Sequence, residues 1–459
     1  MNEEAPALAS NRLVSLDVFR GITMAGMVLV NHLGSYQTAY RPLLHAKWNG
    51  LTPTDLVFPA FLFIVGVAMT FSFDRRLAAG ASRVNLMAHV CKRTIVLFLL
   101  GLALSGLFLD NHLQWRLVGP FVLMIAGLSF LFAEEKKGSG IFCRNGPEGA
   151  SHKRSLPPFS PRGSLLLGTG LAVAAILWFV LDFDTVWHST LRVPGVLQRI
   201  AVCYFVASLI VMFCGVRGRV MWTLALLFGY WLIVRYVHPP ADFKPVAMAE
   251  RPDALLHDWI DVHLFGSHMY REQPGLLGPD PEGVLSTMTS VATTLLGVLT
   301  GNWLHARRDE KEKAIGLFAA ANMLLVAGLW MNCVFPINKK IWTSSYVLVT
   351  AGISLQVLAM CYWLVDVRKS RWWIGPFLVY GTNAILAYIV AGLIGRILTV
   401  WQVHLPDGKT TSLFGWLYPR LFTSWAEPRA ACLLYALAYT LMCLALMTPL
   451  YRRRIFVKV

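Results

Sequence analysis

Long apolar segments recur along this chain and constrain its fold more than any other feature. A helix that crosses the roughly 30 Å hydrocarbon core of a bilayer needs about 18 or more apolar residues, and about twelve segments meet this requirement. They do not alternate apolar and polar residues as the strands of a membrane barrel do. The sequence therefore predicts an all-α, polytopic transmembrane bundle of about 12 helices. The segments are residues 18–36, 53–73, 90–109, 117–133, 165–182, 193–214, 219–238, 286–306, 313–332, 342–366, 374–397 and 428–450.

The composition agrees with a membrane protein and disfavours other classes. Of the 459 residues, 56% are hydrophobic and 14% are charged, whereas soluble domains average about 45–50% apolar and about 25% charged residues. The net charge of +16 is explained by basic loops held against anionic lipid. The expected partner is therefore a lipid bilayer, and binding to nucleic acid is not expected. The eight cysteines are scattered without a Cys-x-x-Cys pair, and no metal site is predicted.

The distribution of basic residues predicts the orientation of the chain in the membrane. Alternate loops are rich in lysine and arginine, which by the positive-inside rule places these loops and both termini in the cytoplasm. The polar N-terminus lacks the basic start of a cleaved signal peptide, so the first helix is expected to remain as an anchor. For a bacterial host, the predicted location is the inner (cytoplasmic) membrane. The basic loops are residues 75–93, 136–162, 217–219, 307–313, 367–371 and 451–454.

The chain is expected to form a single transmembrane domain over residues 1–459 with two long loops. Residues 134–164 are rich in glycine, proline, serine and basic residues without periodicity, which predicts a flexible cytoplasmic loop. Residues 239–285 form a long outer loop with many acidic residues. Because loops of this length usually carry function or local structure, this one is expected to pack over the membrane domain as a partial lid.

The stretch at residues 31–63, which starts where the first apolar segment ends and finishes inside the second, carries the strongest functional signal. An outer-loop histidine such as His45 is ordinarily a solvated surface residue, and Asp55 can simply satisfy free N–H groups at a helix start. A histidine near a carboxylate is also the usual arrangement of a general base that works near pH 7. Trp48 can stack on a sugar, and Asn49 lies beside it in a tight turn. The sequence leaves both interpretations open.

Polar side chains inside apolar segments supply further candidates for a binding site. Gln198 and Arg199 lie in LRVPGVLQRIAVCY. Because a charged residue within a membrane span is costly, Arg199 is expected to face a polar cavity or a partner. Asn383 lies within another span, where a hydrogen bond between helices is the alternative to a binding role.

The stretch FPINKKIWTSSYV departs from the charge pattern because its two lysines lie on the outer side. A helix start that is rich in hydroxyl groups and adjoins lysines can bind an anionic group. An interfacial anchor in contact with lipid phosphate is the alternative. The candidate binding residues in this stretch are Asn338, Lys339, Lys340, Trp342, Ser344 and Tyr346.

Five long segments lie in order and are spread over nearly the whole chain: DVFRGITMAGMVLVNH, LLHAKWNGLTPTDLVFPAFLFIVGVA, RVPGVLQRIAVCY, DPEGVLSTMTSVATTLLGVLTG and PINKKIWTSSYVLVTAG. Together they resemble the heparan-alpha-glucosaminide N-acetyltransferase family. By this resemblance, His45 corresponds to the family's active-site histidine and Asn31 to its nearby asparagine. The chain is also expected to carry an inserted helix pair, at about residues 115–182, in addition to ten core helices.

The resemblance implies transmembrane acetyl transfer. Acetyl-CoA would be the cytosolic donor, and the amino group of a glucosamine-type sugar on the outer face would be the acceptor. His45 would act as general base or as acetyl carrier with Asp55 beside it, and Asn31 would donate a hydrogen bond to the oxyanion. The other candidate residues would contact the donor or the acceptor. A homodimer is compatible with the family.

A transporter of an amino sugar or another small polar solute is the alternative function. About twelve helices suit a transporter equally well, with the same polar residues lining the path. Many transporters, however, consist of internal repeats, and the sequence shows no internal repeat. The clustering of the His45 group at one membrane face also favours an enzyme.

Overall fold

A computed structural model describes residues 13–106, 173, 191–243, 255–273, 276–277, 280–406 and 408–456. The predicted helix pair at 115–182, apart from Val173, and the whole predicted loop at 134–164 lie outside the described residues. Residues Val14–Ser105 and Thr190–Phe456 form one compact unit, which contains all the residues discussed below.

The described part of the chain is almost entirely helical. The α-helices are α1 Val14–Asn31, α2 Val57–Ala78, α3 Arg83–Gly106, α4 Val196–Phe213, α5 Val216–Tyr236, α6 Leu256–Phe265, α7 Val284–His305, α8 Glu310–Met331, α9 Ser344–Cys361, α10 Gly375–Thr382, α11 Ala384–Val400, α12 Leu413–Tyr418 and α13 Pro428–Arg452. Arg41–Leu43 and Pro53–Leu56 are 3₁₀ helices, and Tyr362–Val367 and Pro419–Thr423 are π-helical. Two short antiparallel pairs complete the structure, β1 Arg271–Gln273 with β2 Leu276–Leu277 and β3 Gln402–His404 with β4 Thr410–Ser412.

The helices confirm the predicted helical membrane bundle. Among the described residues, 8 helices are long and apolar enough to cross a membrane, or 9 if α10 and α11 count as one bent span. Every predicted apolar segment outside 115–182 is helical, including α5, which carries arginines near both of its ends. These apolar helices indicate a multi-pass membrane protein.

The segment predicted at 374–397 is not one straight helix. It divides at Asn383 into α10 and α11, whose axes differ by 87°. α10 runs antiparallel to the first half of α1 in very close contact, since a Cβ at Gly21 would lie 1.8 Å from the Phe377 carbonyl oxygen and one at Gly381 would lie 1.9 Å from that of Asp17. Glycines at these crossings allow the two backbones to approach each other.

The centre of the bundle is the contact between α2 and α7, which run parallel to each other. A Cβ at Gly66 would lie 1.9 Å from the Thr294 carbonyl oxygen, and one at Gly297 would lie 2.1 Å from that of Phe63. With Gly301, the second of these glycines forms a Gly-x-x-x-Gly motif, which is typical of closely packed membrane helices. Because the helices are parallel, their N-terminal ends meet at the same end of the bundle. That end carries the loop before α2, and we call it the outer end.

A buried apolar cluster surrounds this contact and joins it to α4 and α9. Phe58, Tyr204, Val291 and Trp342 are among its members. The many serine and threonine side chains of α7 do not interrupt the cluster, because they donate hydrogen bonds to carbonyl groups one turn earlier in their own helix.

The described part of the predicted outer loop, residues 239–285, packs on the helix ends. The Asp261 carboxylate of α6 accepts a hydrogen bond from the Val284 N–H at the start of α7, at 2.9 Å. His257 of α6 lies 2.7 Å from the Tyr230 hydroxyl of α5. The His268 carbonyl accepts from the Val193 N–H at 2.9 Å. The loop therefore has local structure, and its role as a lid stays a prediction.

Candidate active site

The loop between α1 and α2 folds around one buried carboxylate. Thr52 precedes the 3₁₀ helix Pro53–Leu56, with proline at its first position, where the missing N–H is not needed. The Asp55 side chain, three residues later, reaches back and accepts from the Thr52 N–H at 3.1 Å. This is the local capping chemistry that the sequence predicts for a helix start.

Asp55 is completely buried, and one of its oxygens is saturated by local donors. The Ala46 N–H and the Thr52 N–H each donate to Oδ2 at 3.1 Å. The Thr52 hydroxyl lies 2.8 Å from the same oxygen. A buried carboxylate held in this way has a fixed orientation, so its other oxygen, Oδ1, points in a fixed direction.

The Oδ1 atom of Asp55 contacts the imidazole of His45. The Nδ1 atom of His45 lies 2.7 Å from it, and 53% of the histidine side chain is exposed while the carboxylate is fully buried. An Nδ1–H that donates to the carboxylate leaves the Nε2 lone pair available to a substrate. The two interpretations of Asp55 therefore coincide, because it caps the helix with one oxygen and orients His45 with the other.

The side chain of Lys339 completes this cluster. Its Nζ lies 3.4 Å from Asp55 Oδ1, 2.9 Å from His45 Nδ1 and 3.3 Å from His45 Nε2. Burial lowers the pKa of Lys339, although the charges of Asp55 and Glu282 oppose this effect. His45, Asp55 and Lys339 are called the outer triad below.

The loop before α9 carries Lys339 to this position through contacts with the first loop. The Asn338 side-chain amide donates to Asn49 Oδ1 at 3.1 Å, and the Gly50 N–H donates to the Ile337 carbonyl at 2.8 Å. Asn338 is buried, and its own Oδ1 accepts from the Ile341 N–H at 3.2 Å. Two predicted binding residues, Asn49 and Asn338, thus fasten the two loops to each other.

Trp342 adopts a positive φ of 52°, which is uncommon for any residue other than glycine and strained for a bulky one. Its indole is fully buried and packs edge-to-face against Phe58 and Tyr346 at 5.2 and 5.1 Å between ring centroids. Its carbonyl accepts from the Thr289 hydroxyl at 2.6 Å. These contacts hold the turn that follows Lys339.

The hydroxyl groups at the start of α9 are already engaged within the protein. The Tyr346 hydroxyl donates to the backbone carbonyl of Asp55 at 2.6 Å. The Ser344 hydroxyl donates to the Leu227 carbonyl at 2.7 Å. Both residues are buried and tie α9 to its neighbours, and their predicted contact with a substrate remains untested.

Arg199 is buried in the first turn of α4, next to the start of α7. Its Nη2 donates to the Gly283 carbonyl at 3.0 Å and to the Ser286 hydroxyl, and the guanidinium lies 5.1 Å from the centre of the Trp342 ring. Its Nε and Nη1 atoms, like Nε2 of the neighbouring buried Gln198, have no hydrogen-bond partner among the described residues.

Sequence analysis did not identify a second charged group at this end, formed by Arg192, Asp280 and Glu282. Arg192 Nε and Nη2 lie 3.1 and 2.5 Å from the two carboxylate oxygens of Asp280, and Nη2 also contacts Glu282. Burial would lower the pKa of Arg192, but Glu282 and Asp280 outweigh it and raise that pKa. Charges of opposite sign in the loops before α4 and α7 were the signal available in the sequence.

The other predicted site residues lie apart from the outer triad or at its edge. Trp48 is half-buried against the apolar cluster of Tyr230 and Leu285, and Lys340 is half-buried beside Lys339. Asn31 is exposed at the end of α1, and no hydrogen bond joins it to His45 in the described part of the chain. Asn383 lies between α10 and α11. Its side-chain amide donates at 2.9 Å to the carbonyl of Ile455, just after the end of α13.

Comparison with known proteins places the triad's first two residues within a matched region. The model of the family "Heparan-alpha-glucosaminide N-acetyltransferase, catalytic" matches residues 12–109. The mouse protein named heparan-alpha-glucosaminide N-acetyltransferase is 25% identical over 425 residues, which cover 83% of this chain and 53% of the mouse protein. The human protein of that name is 26% identical over 422 residues, which cover 82% of this chain and 52% of the human protein.

The resemblance to the heparan-alpha-glucosaminide N-acetyltransferase family is confirmed. This chain spans about half the length of the curated relatives it matches. The heparan-alpha-glucosaminide N-acetyltransferase model covers α1, the first loop, α2 and α3, and so includes Asn31, His45 and Asp55. Among the residues that the structure describes, no group of three or more His, Cys, Asp or Glu is arranged to hold a metal ion.

Proposed function

We propose that this protein is a membrane acetyltransferase that moves acetyl from acetyl-CoA to the amino group of a glucosamine-type sugar, with His45 at the reaction centre. The observation that carries the proposal is the half-exposed imidazole held at 2.7 Å by a fully buried carboxylate. A reactive group needs an open face, and its orientation must be fixed by neighbours. Both conditions are met by His45 and Asp55.

The chemistry assigned to His45 balances as follows. The substrate ammonium loses a proton to Nε2, the resulting amine attacks the thioester carbonyl, a C–N bond forms and the C–S bond breaks. The attacking nitrogen loses a second proton as the amide forms. The CoA thiolate takes up one of the two protons that the nitrogen has lost, and the other is released to solvent. Proton transfer by a positioned side chain is the usual form of general base catalysis.

The same geometry supports a second form of the reaction. His45 can itself attack the thioester, hold the acetyl group on Nε2 and pass it to the amine in a separate step. In either form, Asn31 is proposed to donate a hydrogen bond to the oxyanion. This role requires the exposed Asn31 side chain to turn toward the substrate, since no bond fixes it to His45 in the described structure.

The location of the reaction also belongs to this proposal. The triad lies at the end of the bundle where α2 and α7 begin, which the distribution of basic loops assigns to the side opposite the cytoplasm. CoA is large and multiply anionic and does not cross lipid, so donor and acceptor are proposed to enter from opposite sides. The inner membrane of a bacterium is the proposed location, and a homodimer is compatible with it.

Radiolabelled acetyl-CoA and a panel of amino sugars, mixed with purified protein in detergent, provide the test. Label is expected on glucosamine or a glucosaminide with the native chain and not with His45→Ala. The matched control is His404→Ala, which removes an exposed histidine on β3 outside the site. Full transfer by His45→Ala contradicts the role of His45.

Omission of the acceptor separates the two forms of the reaction. Acetyl carried by the peptide that contains His45, detected by mass spectrometry, establishes the carrier form. Transfer to sugar without any such acetylated peptide establishes direct attack. If neither sugar nor protein acquires label from the native chain, the acetyltransferase proposal fails, and uptake of amino sugars into proteoliposomes becomes the next measurement.

A further inference from the structure

Lys339 contacts the imidazole of His45 as well as the carboxylate of Asp55. Its Nζ forms a closed triangle with Asp55 Oδ1 and His45 Nδ1, with edges of 2.7, 2.9 and 3.4 Å. It lies 294 residues from His45 in the chain, and the contacts of Asn338 and Trp342 hold it there. Only 19% of its side chain is exposed, so water screens its charge weakly.

The two neighbours of His45 act on its imidazole in opposite directions. A carboxylate only accepts hydrogen bonds and favours the imidazolium, whereas an ammonium group only donates them and disfavours a second positive charge. A doubly protonated imidazole has no lone pair with which to accept a proton or attack a carbonyl.

From this triangle we infer that Lys339 is a positioning residue whose positive charge offsets that of Asp55 and disfavours a second proton on the imidazole of His45. The inference rests on the proposed function, in which His45 needs that lone pair as base or acetyl carrier. It assigns Lys339 an electrostatic role on His45 in place of the predicted role as a substrate contact.

The charges around the triangle are consistent with this role. Asp55 faces His45 from the 3₁₀ helix before α2, and Lys339 faces it from the loop before α9. The charges of Glu282 and Lys340 act on Lys339 with opposite signs. Glu282 in turn contacts Arg192, whose positive charge offsets its own. Among the described residues, Lys339 is a cation in direct contact with the imidazole.

Diethyl pyrocarbonate tests the inference without relying on acetyl transfer, because it modifies imidazole only in its uncharged form. The purified protein is treated at a series of pH values, and modification of the His45 ring itself, distinguished from that of Lys47 by fragment ions, is followed by mass spectrometry. The variants are Lys339→Met and Lys339→Gln, which remove the charge, and Lys339→Arg, which keeps it. Lys311→Met, an exposed lysine at the start of α8, is the control for loss of one lysine elsewhere.

We expect the midpoint of His45 modification to rise by about one pH unit in both uncharged variants. Well below the midpoint, this shift corresponds to a roughly tenfold slower modification. Lys339→Arg and Lys311→Met are expected to keep the native midpoint. The acidic limb of the transfer-rate profile should move to higher pH in the same two uncharged variants.

An unchanged midpoint in both Lys339→Met and Lys339→Gln overturns the inference, as does a shift in Lys339→Arg equal to theirs. Two uncharged variants of different shape are used so that misfolding of one does not decide the result. Failure of the proposed function has a different signature, since a native chain that transfers no acetyl leaves the modification midpoints measurable. The two ideas are thus tested by separate readouts.

Discussion

Two histidine–aspartate pairs lie at opposite ends of the bundle, and their differences indicate what makes one of them a candidate site. His45 Nδ1 lies 2.7 Å from Asp55 Oδ1 at the outer end. His305 Nδ1, at the end of α7, lies 2.6 Å from Asp74 Oδ2 of α2. The residue types are the same and the nitrogen–oxygen distances are nearly equal. The more buried partner is the aspartate in the first pair and the histidine in the second.

In the outer pair, His45 and Asp55, the carboxylate is buried and the imidazole is half exposed. In the other pair, His305 and Asp74, which we call the inner pair, the carboxylate is exposed. Asp74 is 62% exposed and His305 29% exposed, and the His305 ring packs edge-to-face on Phe71 at 4.0 Å. Such an arrangement joins two helix ends but presents no oriented base to a substrate. Burial of the carboxylate, more than the distance between the partners, therefore distinguishes the outer pair as the candidate site.

The largest expected difference between the pairs concerns catalysis. His45→Ala should lower acetyl transfer by about 100-fold or more, the usual contribution of a positioned proton-transfer group. His305→Ala should stay within about twofold of the native rate, since surface ion pairs contribute little. Initial rates in detergent with labelled acetyl-CoA measure both. Equal losses in the two variants would show that the comparison has no functional meaning.

Substitution of the two aspartates should affect acetyl transfer in the same order as substitution of the two histidines. Asp55→Asn removes the charge that fixes the Nδ1–H tautomer of His45, and we expect transfer to fall by about 100-fold. Asp74→Asn should leave transfer nearly unchanged. The measurement is kcat with near-saturating donor and acceptor. A fall in kcat for Asp74→Asn that matches the fall for Asp55→Asn would contradict the special status of the outer pair.

Stability should separate the pairs by a smaller but measurable amount. Asp55→Ala leaves Lys339 and two partly buried N–H groups, those of Ala46 and Thr52, without this acceptor. We expect the free energy of unfolding to fall by about 3 kcal/mol. Asp74→Ala should lower it by only about 0.5 kcal/mol. Unfolding in detergent, followed by tryptophan fluorescence, provides the values. Equal destabilisation by both substitutions would mean that burial of Asp55 is not decisive.

A third acid, Asp261, sharpens the comparison because it is buried and no cation among the described residues lies in hydrogen-bond contact with it. Its carboxylate accepts from the Val284 N–H, and burial raises its pKa to about 7 from an ordinary 3.8, with Asp280 and Asp258 adding to the effect and Val284 and Arg199 opposing it. The folded state therefore binds the proton more tightly than the unfolded state. The stability gained in this way is complete below pH 3.8 and is lost as the pH rises through about 7.

Asp261→Asn should abolish this part of the pH dependence. In the native chain we expect the free energy of unfolding to fall by about 2 kcal/mol between pH 5 and pH 8 on account of Asp261. The variant should show a correspondingly flatter profile, and Trp259 on the same helix is a natural fluorescent probe. An identical slope in both proteins would show that Asp261 does not hold a proton in the folded state.

Local patterns in the sequence were sufficient for most of the fold. The length of the apolar segments predicted every described membrane helix. In lipid, a single segment satisfies its backbone N–H and C=O groups by forming a helix. The order Thr52, Pro53, Thr54, Asp55 predicted a helix start, and the structure has one there. The 87° bend at Asn383 was not predicted, because no proline or charge marks it in the sequence. It accompanies the close contacts of Gly21 and Gly381 with neighbouring backbones, which only the tertiary structure shows.

The candidate site was only partly accessible from sequence. His45 and Asp55 lie ten residues apart in one loop, so their proximity could be argued locally. The burial of Asp55 could not, because it depends on Tyr346 and on the loop before α9. The Arg192 group was overlooked, because its acidic partners lie 88 and 90 residues away in the chain.

The sequence by itself determined the class of the protein, its helices and the residue types at its outer end, since these follow from hydrophobic length and short-range capping. Only the tertiary structure decided which charges meet, which acid is buried and which histidine remains open. The reason is physical: in lipid, helices associate through small residues and a few polar contacts, whose partners are far apart in sequence. The contact of Lys339 with His45 is such a pairing.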